Sequence, residues 1–241
     1  MGIIFSDDFE SADFSNWTST PTGGTGTATV QGTTVHQGSD AAKFTTTTGV
    51  NGDNASASKS ITWPTNNFLY IQGWVYFGSD YTNGLANGHI FITADVATQT
   101  PWGERAGLTT DWTGSNIAVQ LVYRRKSDNT RVFGSASYTL SLTTWNLFAL
   151  SVDYSGTDPV FKWYVDGSLQ ETITDSSSGT NTQKPDEVST GAQILNWDAT
   201  NKGSIYVDEF VARDTLVTPY SITKSQQYNI AMSYPAAWFY V

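Results

Sequence analysis

From Lys162 to Leu169 the chain reads Lys-Trp-Tyr-Val-Asp-Gly-Ser-Leu, bulky and polar residues alternating into an Asp-Gly pair. Alternation with a period of two puts every second side chain on one face of a strand. Asp-Gly is the pair that most readily takes positive φ at both central positions of a two-residue hairpin. The stretch therefore predicts a strand at 160–166, a turn at Asp166-Gly167 and a partner strand at 169–174. The run Trp145 to Tyr154 predicts a further long strand just before them. A chain committed to such a hairpin needs antiparallel neighbours on both sides, which points the whole molecule toward sheet structure.

The rest of the sequence agrees. Thr, Val, Tyr, Phe and Trp recur with a period of two, and Gly with Asn or Asp marks the turns. Further strands are expected at 3–9, 27–36, 41–47, 54–62, 68–77, 88–96, 103–109, 116–125, 130–138, 188–196 and 204–212. Many short strands separated by turn signals, with no internal repeat, predict an all-β sandwich or jelly roll of two antiparallel sheets. Two loops, Thr18 to Gly26 and Asp175 to Lys184, are rich in Thr, Ser, Gly and Asn and are expected to be mobile surface. Residues 1–213 form the expected domain. Residues 214–241 are a C-terminal extension ending in Trp238-Phe239-Tyr240-Val241, expected to dock on its own domain or on a partner subunit.

The 241 residues suffice for one large β-domain with its own core. There is no Cys, so no disulfide or thiolate chemistry arises. The 22 acidic against 12 basic residues give a net charge of −10, which argues against nucleic acid as a partner. Arg124-Arg125-Lys126, with Arg131 behind, is the basic cluster and reads as a solvated turn. No apolar run is long enough for a membrane-spanning helix. Met1-Gly2-Ile3-Ile4-Phe5 leads straight into acidic residues and has no leader-like pattern. The expectation is a removed leader, or a protein that reaches a cell exterior or a virion surface without one.

The order Trp145, apolar alternation, Gly156, Trp163-Tyr164-Val165-Asp166-Gly167 resembles the middle of laminin-G-like and concanavalin-A-like jelly rolls. Phe5-Ser6-Asp7-Asp8-Phe9-Glu10-Ser11 with Asn16-Trp17, then Gly38-Ser39-Asp40-Ala41-Ala42-Lys43, and finally Tyr206-Val207-Asp208-Glu209-Phe210 resemble the terminal signatures of calcium-binding carbohydrate-binding modules and laminarinase-type glucanases. The resemblance implies that the first and last strands pair and that carboxylates from both hold a structural Ca²⁺. From the residues themselves, Asp8 and Glu10 share a strand face. Asp208 stands on one face between Tyr206 and Phe210, with Val207, Glu209 and Val211 on the other. A lone buried carboxylate there is costly, and a hard cation with oxygen ligands relieves it. Asp8, Glu10 and Asp208 are the expected ligands, with carbonyls near Gly38 or Lys43 completing the shell. The alternative is that these acids are solvated edge positions.

Catalysis finds little support in the residues. The glucanase-type enzymes carry three acids at alternate positions of one strand, and retaining hydrolysis needs two carboxyls about 5–5.5 Å apart. Here Glu occurs only at 10, 104, 171, 187 and 209, and Gly88 to Asp95 has a single acid. A polysaccharide lyase needs a base and a group that neutralises the uronate. His89, Tyr123 and Arg124 are the residues available for that work, but the alginate-lyase signatures are absent. The expected function is a non-catalytic, lectin-like glycan-binding module. Its binding face combines Tyr70, Gln72, Trp74 and Tyr76 from one strand with His89, Gln120 and Arg124 from neighbouring ones, aromatic rings and amides that stack on sugars and read hydroxyls. Trp102 and Trp112 are alternative platforms at the rim. A second class, a virion decoration or tail component that oligomerises through 214–241, is expected to use the same fold. A lyase or hydrolase with an unusual site is the third.

Overall fold

A computed structural model describes residues 2–47, 53–82, 88–94, 104–112, 117–178, 184–194 and 203–216. Its elements are β1 (Ile3–Asp7), β2 (Thr22–Gly23), β3 (Thr27–Gln31), β4 (Ala41–Thr46), β5 (Asn54–Ser60), β6 (Phe68–Phe77), β7 (Gly88–Ala94) and β8 (Glu104–Trp112). They continue with β9 (Ile117–Arg124), β10 (Arg131–Leu140), β11 (Trp145–Asp153), β12 (Val160–Val165), β13 (Ser168–Thr174), β14 (Glu187–Ile194) and β15 (Gly203–Arg213). Sheet A runs β13-β12-β11-β6-β15-β4-β3, with β1 also on β15. Sheet B runs β10-β9-β8-β7-β14-β5-β2. Every pairing is antiparallel, so the molecule is an all-β, two-sheet jelly-roll sandwich.

The hairpin forms as expected. Asp166 and Gly167 have φ of 47° and 80°, the two positive values of a type I′ turn, and Val165 pairs Ser168. On β6, Leu69, Ile71, Val75 and Phe77 face the core, as their alternation predicts, against Phe148, Leu150 and Trp163 of sheet A and Phe91, Leu108, Val119 and Leu121 of sheet B. The first and last strands do pair, Ser6 opposite Val211 and Asp7 opposite Phe210.

Four expectations change. The strand expected at 27–36 stops at Gln31, and residues 32–40 form a strap whose amides go to carboxylates of other segments. The Thr18–Gly26 loop is partly stapled: Ser19 bridges Ser58, Thr22-Gly23 pairs β5, and the buried Asp53 accepts bonds from the amide and hydroxyl of Thr25. On β15 the alternation slips. Glu209 has a φ of 50° and the register shifts between Asp208 and Val211, which marks a bulge. Phe210 therefore enters the core with Val207 instead of sharing the outer face with Tyr206 and Asp208. Asp175, expected in a mobile loop, is buried and accepts the amide of Lys126. The two sheets also meet along one side, where Glu171 on β13 accepts the amide and hydroxyl of Ser135 on β10. The tail expectation for 217–241 falls outside the described residues.

The N-terminal strand is fixed by Trp17. Its indole Nε1 donates to buried Asp7 at 2.6 Å, and its ring packs against Phe5, Phe9 and Phe210. Burial pushes the Asp7 carboxyl up, and the bonds from Phe9, Trp17 and Asn16 pull against it. Trp17→Phe keeps most of the packing and leaves Asp7 short of its strongest donor. In urea titrations it is expected to destabilise by about 1–3 kcal/mol; an unchanged midpoint would show that the indole bond is immaterial.

Candidate functional site

The expected binding surface splits in two. Tyr70, Gln72, Trp74 and Tyr76 lie on the outer face of sheet A, opposite in parity to the core residues of β6. His89 on β7, and Gln120 and Arg124 on β9, belong to sheet B. The cause is topological: β6 pairs β11 and β15, while β7 starts the other sheet, so neighbours in sequence end on opposite sides of the sandwich.

On sheet B a polar row crosses six strands in register. Asn54 opposes Gln193, Gln193 opposes His89, His89 opposes Thr109, Thr109 opposes Gln120, and Gln120 opposes Ser137. Gln120 and Thr109 stand on the outer face, since Leu108, Val119 and Leu121 take the core. The hydroxyls of Thr109 and Ser56 are buried there without hydrogen-bond partners. The next row is mixed, with Ser58 opposite Ser189, Gly107 opposite Val122 and Val122 opposite Phe133.

Beyond them is a row of arginines. Arg124 directly opposes Arg131, and Arg105 follows in line, because its neighbour Ala106 opposes Tyr123. Arg105 Nη1 donates to Asn129 Oδ1 at 3.1 Å and Arg124 Nη1 to the Asn129 carbonyl at 3.3 Å, so one loop residue braces both. Arg131 lies 4.9 Å over the Phe133 ring, and all three arginines hold further contacts. Four residues of rise separate this row from the polar one, about 13 Å. The basic cluster expected to be a solvated turn thus divides. Arg125 is in the turn, paired with Asp128, and Lys126 is buried against Asp158. Arg124 joins the sheet row.

On sheet A, Tyr70 and Gln72 are not presented to a ligand. Tyr70 is fully buried, its hydroxyl donating to Gln72 Oε1 at 3.1 Å, and Ala149 and Tyr164 pack beside it. Trp74 and Tyr76 are half-buried. Tyr76 lines up with Trp145 and Tyr206, and Trp74 is covered by the His36 ring at 3.8 Å and 16°. Trp145, Tyr206 and His36 were absent from the expected site, because only strand register brings them there. Trp102 lies outside the described residues, and only the backbone of Trp112 is described.

The carboxylates expected to hold calcium act on the strap. Asp208 Oδ2 accepts the amides of His36 and Gln37, each at 3.0 Å, and its Oδ1 accepts the Glu209 amide. Glu10 Oε1 accepts the amides of Ser39 and Asp40. Asp8 Oδ1 accepts the Glu10 amide. Among the described residues no group of three His, Cys, Asp or Glu side chains gathers to hold an ion. A shell of three carboxylates does not fit.

No protein family model matches the chain, and no curated protein matches it by sequence. Solved structures do. An endo-β-1,4-glucuronan lyase from the fungus Trichoderma reesei superposes with a TM-score of 0.69 at 14% identity, covering 90% of this chain and 98% of that one. The cellulose-induced protein Cip1 gives 0.62 at 21%, over 88% and 98%. The alginate lyase vAL-1 from a Chlorella virus gives 0.58 at 12%, over 89% and 100%. At these identities the likeness is one of fold: a jelly roll of the kind found in polysaccharide lyases.

Burial is the largest influence on Asp208 and pushes its carboxyl up to about 6, against the strap amides that pull it down. A raised carboxyl stabilises the folded state below its unfolded pKa, near 4, and that contribution is lost as pH climbs through about 6. In metal-free buffer Asp208→Asn should therefore gain on the native protein, by up to about 3 kcal/mol, between pH 4 and pH 7. Parallel pH–stability curves would show that Asp208 does not titrate in this window.

Proposed function

We propose that the protein binds carbohydrate without cutting it, and that its ligand on the outer face of sheet B is an acidic polysaccharide. The observation that carries this reading is the opposition of the half-buried Arg124 and Arg131 on adjacent strands, with Arg105 buried beside them, in a chain of net charge −10 with 12 basic residues. A guanidinium fork matches a carboxylate bidentately, and a file of them suits repeated uronate groups. In the polar row beyond, Gln120 and Ser137 supply an amide and a hydroxyl for sugar hydroxyls. The glucuronan and alginate lyases of similar fold are named for polyuronate substrates, which supports the same ligand class here.

The test is retardation in gels containing polyglucuronate, alginate or a neutral β-glucan. The native protein is expected to be slowed by the two polyuronates, with binding that weakens as salt rises. Arg124→Ala with Arg131→Ala should weaken it about tenfold or more. Equal retardation of variant and native protein would sink the arginine row as the site. A lyase is the second reading, motivated by His89 standing in register with Thr109 on the same sheet as the arginines. Ultraviolet absorbance from unsaturated ends, accumulating with the native protein and not with His89→Ala, would replace binding by cleavage.

A structural Ca²⁺ held by Glu10 and Asp208 with strap carbonyls belongs to this proposal, supported by the convergence of both carboxylates on the strap and by the buried charge of Asp208. Calcium is expected to raise the melting temperature of the native protein and not of Asp208→Asn. Identical melts in calcium and in chelator would remove the ion from the account.

A further inference from the structure

The outer face of sheet A carries a strip that the core does not use. Trp145 opposes Tyr76, Tyr76 opposes Tyr206, and Tyr206 opposes Lys43, so four residues from β11, β6, β15 and β4 stand in one line. At the usual strand spacing the line is about 14 Å long. All four side chains are half-buried. Ring centroids are 5.4 Å apart for Trp145 and Tyr76, tilted by 47°, and 5.5 Å apart for Tyr76 and Tyr206, near perpendicular at 83°. The Lys43 ammonium lies 5.5 Å from the Tyr206 centroid. The strip is notched, so it suits one short chain of rings and not a flat lattice.

The chain itself shows what this face accepts. The strap lays His36 flat on Trp74, with its edge toward Trp145 and its Nδ1 3.3 Å from Glu209 Oε2. A ring with an apolar face and a hydrogen-bonding rim thus already occupies the neighbouring stacking position. A pyranose has the same two-sided character. We infer that Trp145, Tyr76 and Tyr206 form a second saccharide site, for a short neutral sugar chain, on the opposite sheet from the arginines. The neutral class follows from charge: the strip has one ammonium, Lys43, over the Tyr206 ring, and two carboxylates, Asp208 and Glu209, on the same strand as Tyr206, leaving no cationic excess. The strip carries no aliphatic side chain, and its rings end in phenol or indole N–H groups, which favours a wet sugar over a protein partner. The inference rests on the carbohydrate reading above but not on the arginine row. It makes the protein a binder with two faces.

Cellohexaose and laminarihexaose, titrated separately while tryptophan fluorescence is followed, are the probes. The native protein is expected to show a saturable change with at least one of them. Trp145→Ala and Tyr206→Ala should each weaken it tenfold or more, while Arg124→Ala with Arg131→Ala leaves it intact. Tyr206→Ala carries the test if Trp145→Ala fails to fold. No saturable change with either sugar, or native-like binding by both ring variants, overturns the inference. So does sedimentation showing a native dimer that both ring variants split, since the strip is then a subunit contact. Failure of the arginine variants to affect polyuronate binding would sink the arginine row as the site alone.

Discussion

One extra residue in β15 decides how the two sides of this sandwich differ. A regular strand would carry Tyr206, Asp208 and Phe210 on one face. Glu209, taking a positive φ, shifts the register so that Phe210 turns inward to meet Phe5, Trp17 and Phe91. The same shift leaves Asp208 and Glu209 together on the outer side, where one holds the strap's amides and the other its imidazole. The strap then fixes His36 on Trp74. Packing of the core and presentation of an aromatic face thus share a single backbone irregularity, and a bulge costs little when both strands beside it stay paired.

The regular parts of the fold were legible because they obey one period. β6 divides its residues between core and outside as its alternation says, and Asp166-Gly167 turns as that pair should. What escaped is what depends on pairing between distant segments. Arg105, Arg124 and Arg131 are scattered in sequence, and only the registers of β8, β9 and β10 bring them into line. Trp145 and Tyr206 reach Tyr76 in the same way. The joint surface drawn through Gln72, Trp74, His89 and Gln120 is divided because the chain changes sheet between β6 and β7. β2, at two residues, is too short to leave a pattern, and the bulge at Glu209 has no composition signal, since a non-glycine residue takes the positive φ.

The two outer faces also place opposite electrostatic demands on one acidic chain. Sheet B lines up arginines from three adjacent strands, and sheet A buries Asp208 at a carboxyl pushed up by desolvation.

The contact between Glu171 and Ser135 has a consequence of another kind. It ties β13 to β10, the border strands of the two sheets, and takes up the amide of Ser135 on that side. Open strand borders are where sandwich proteins fuse into fibres or exchange segments. Here the opposite flank, ending in β3 and the two-residue β2, is the side from which such growth would have to begin. Self-association by strand addition therefore has a direction, and charges placed along Thr27–Gln31 would block it without touching either ring or arginine face.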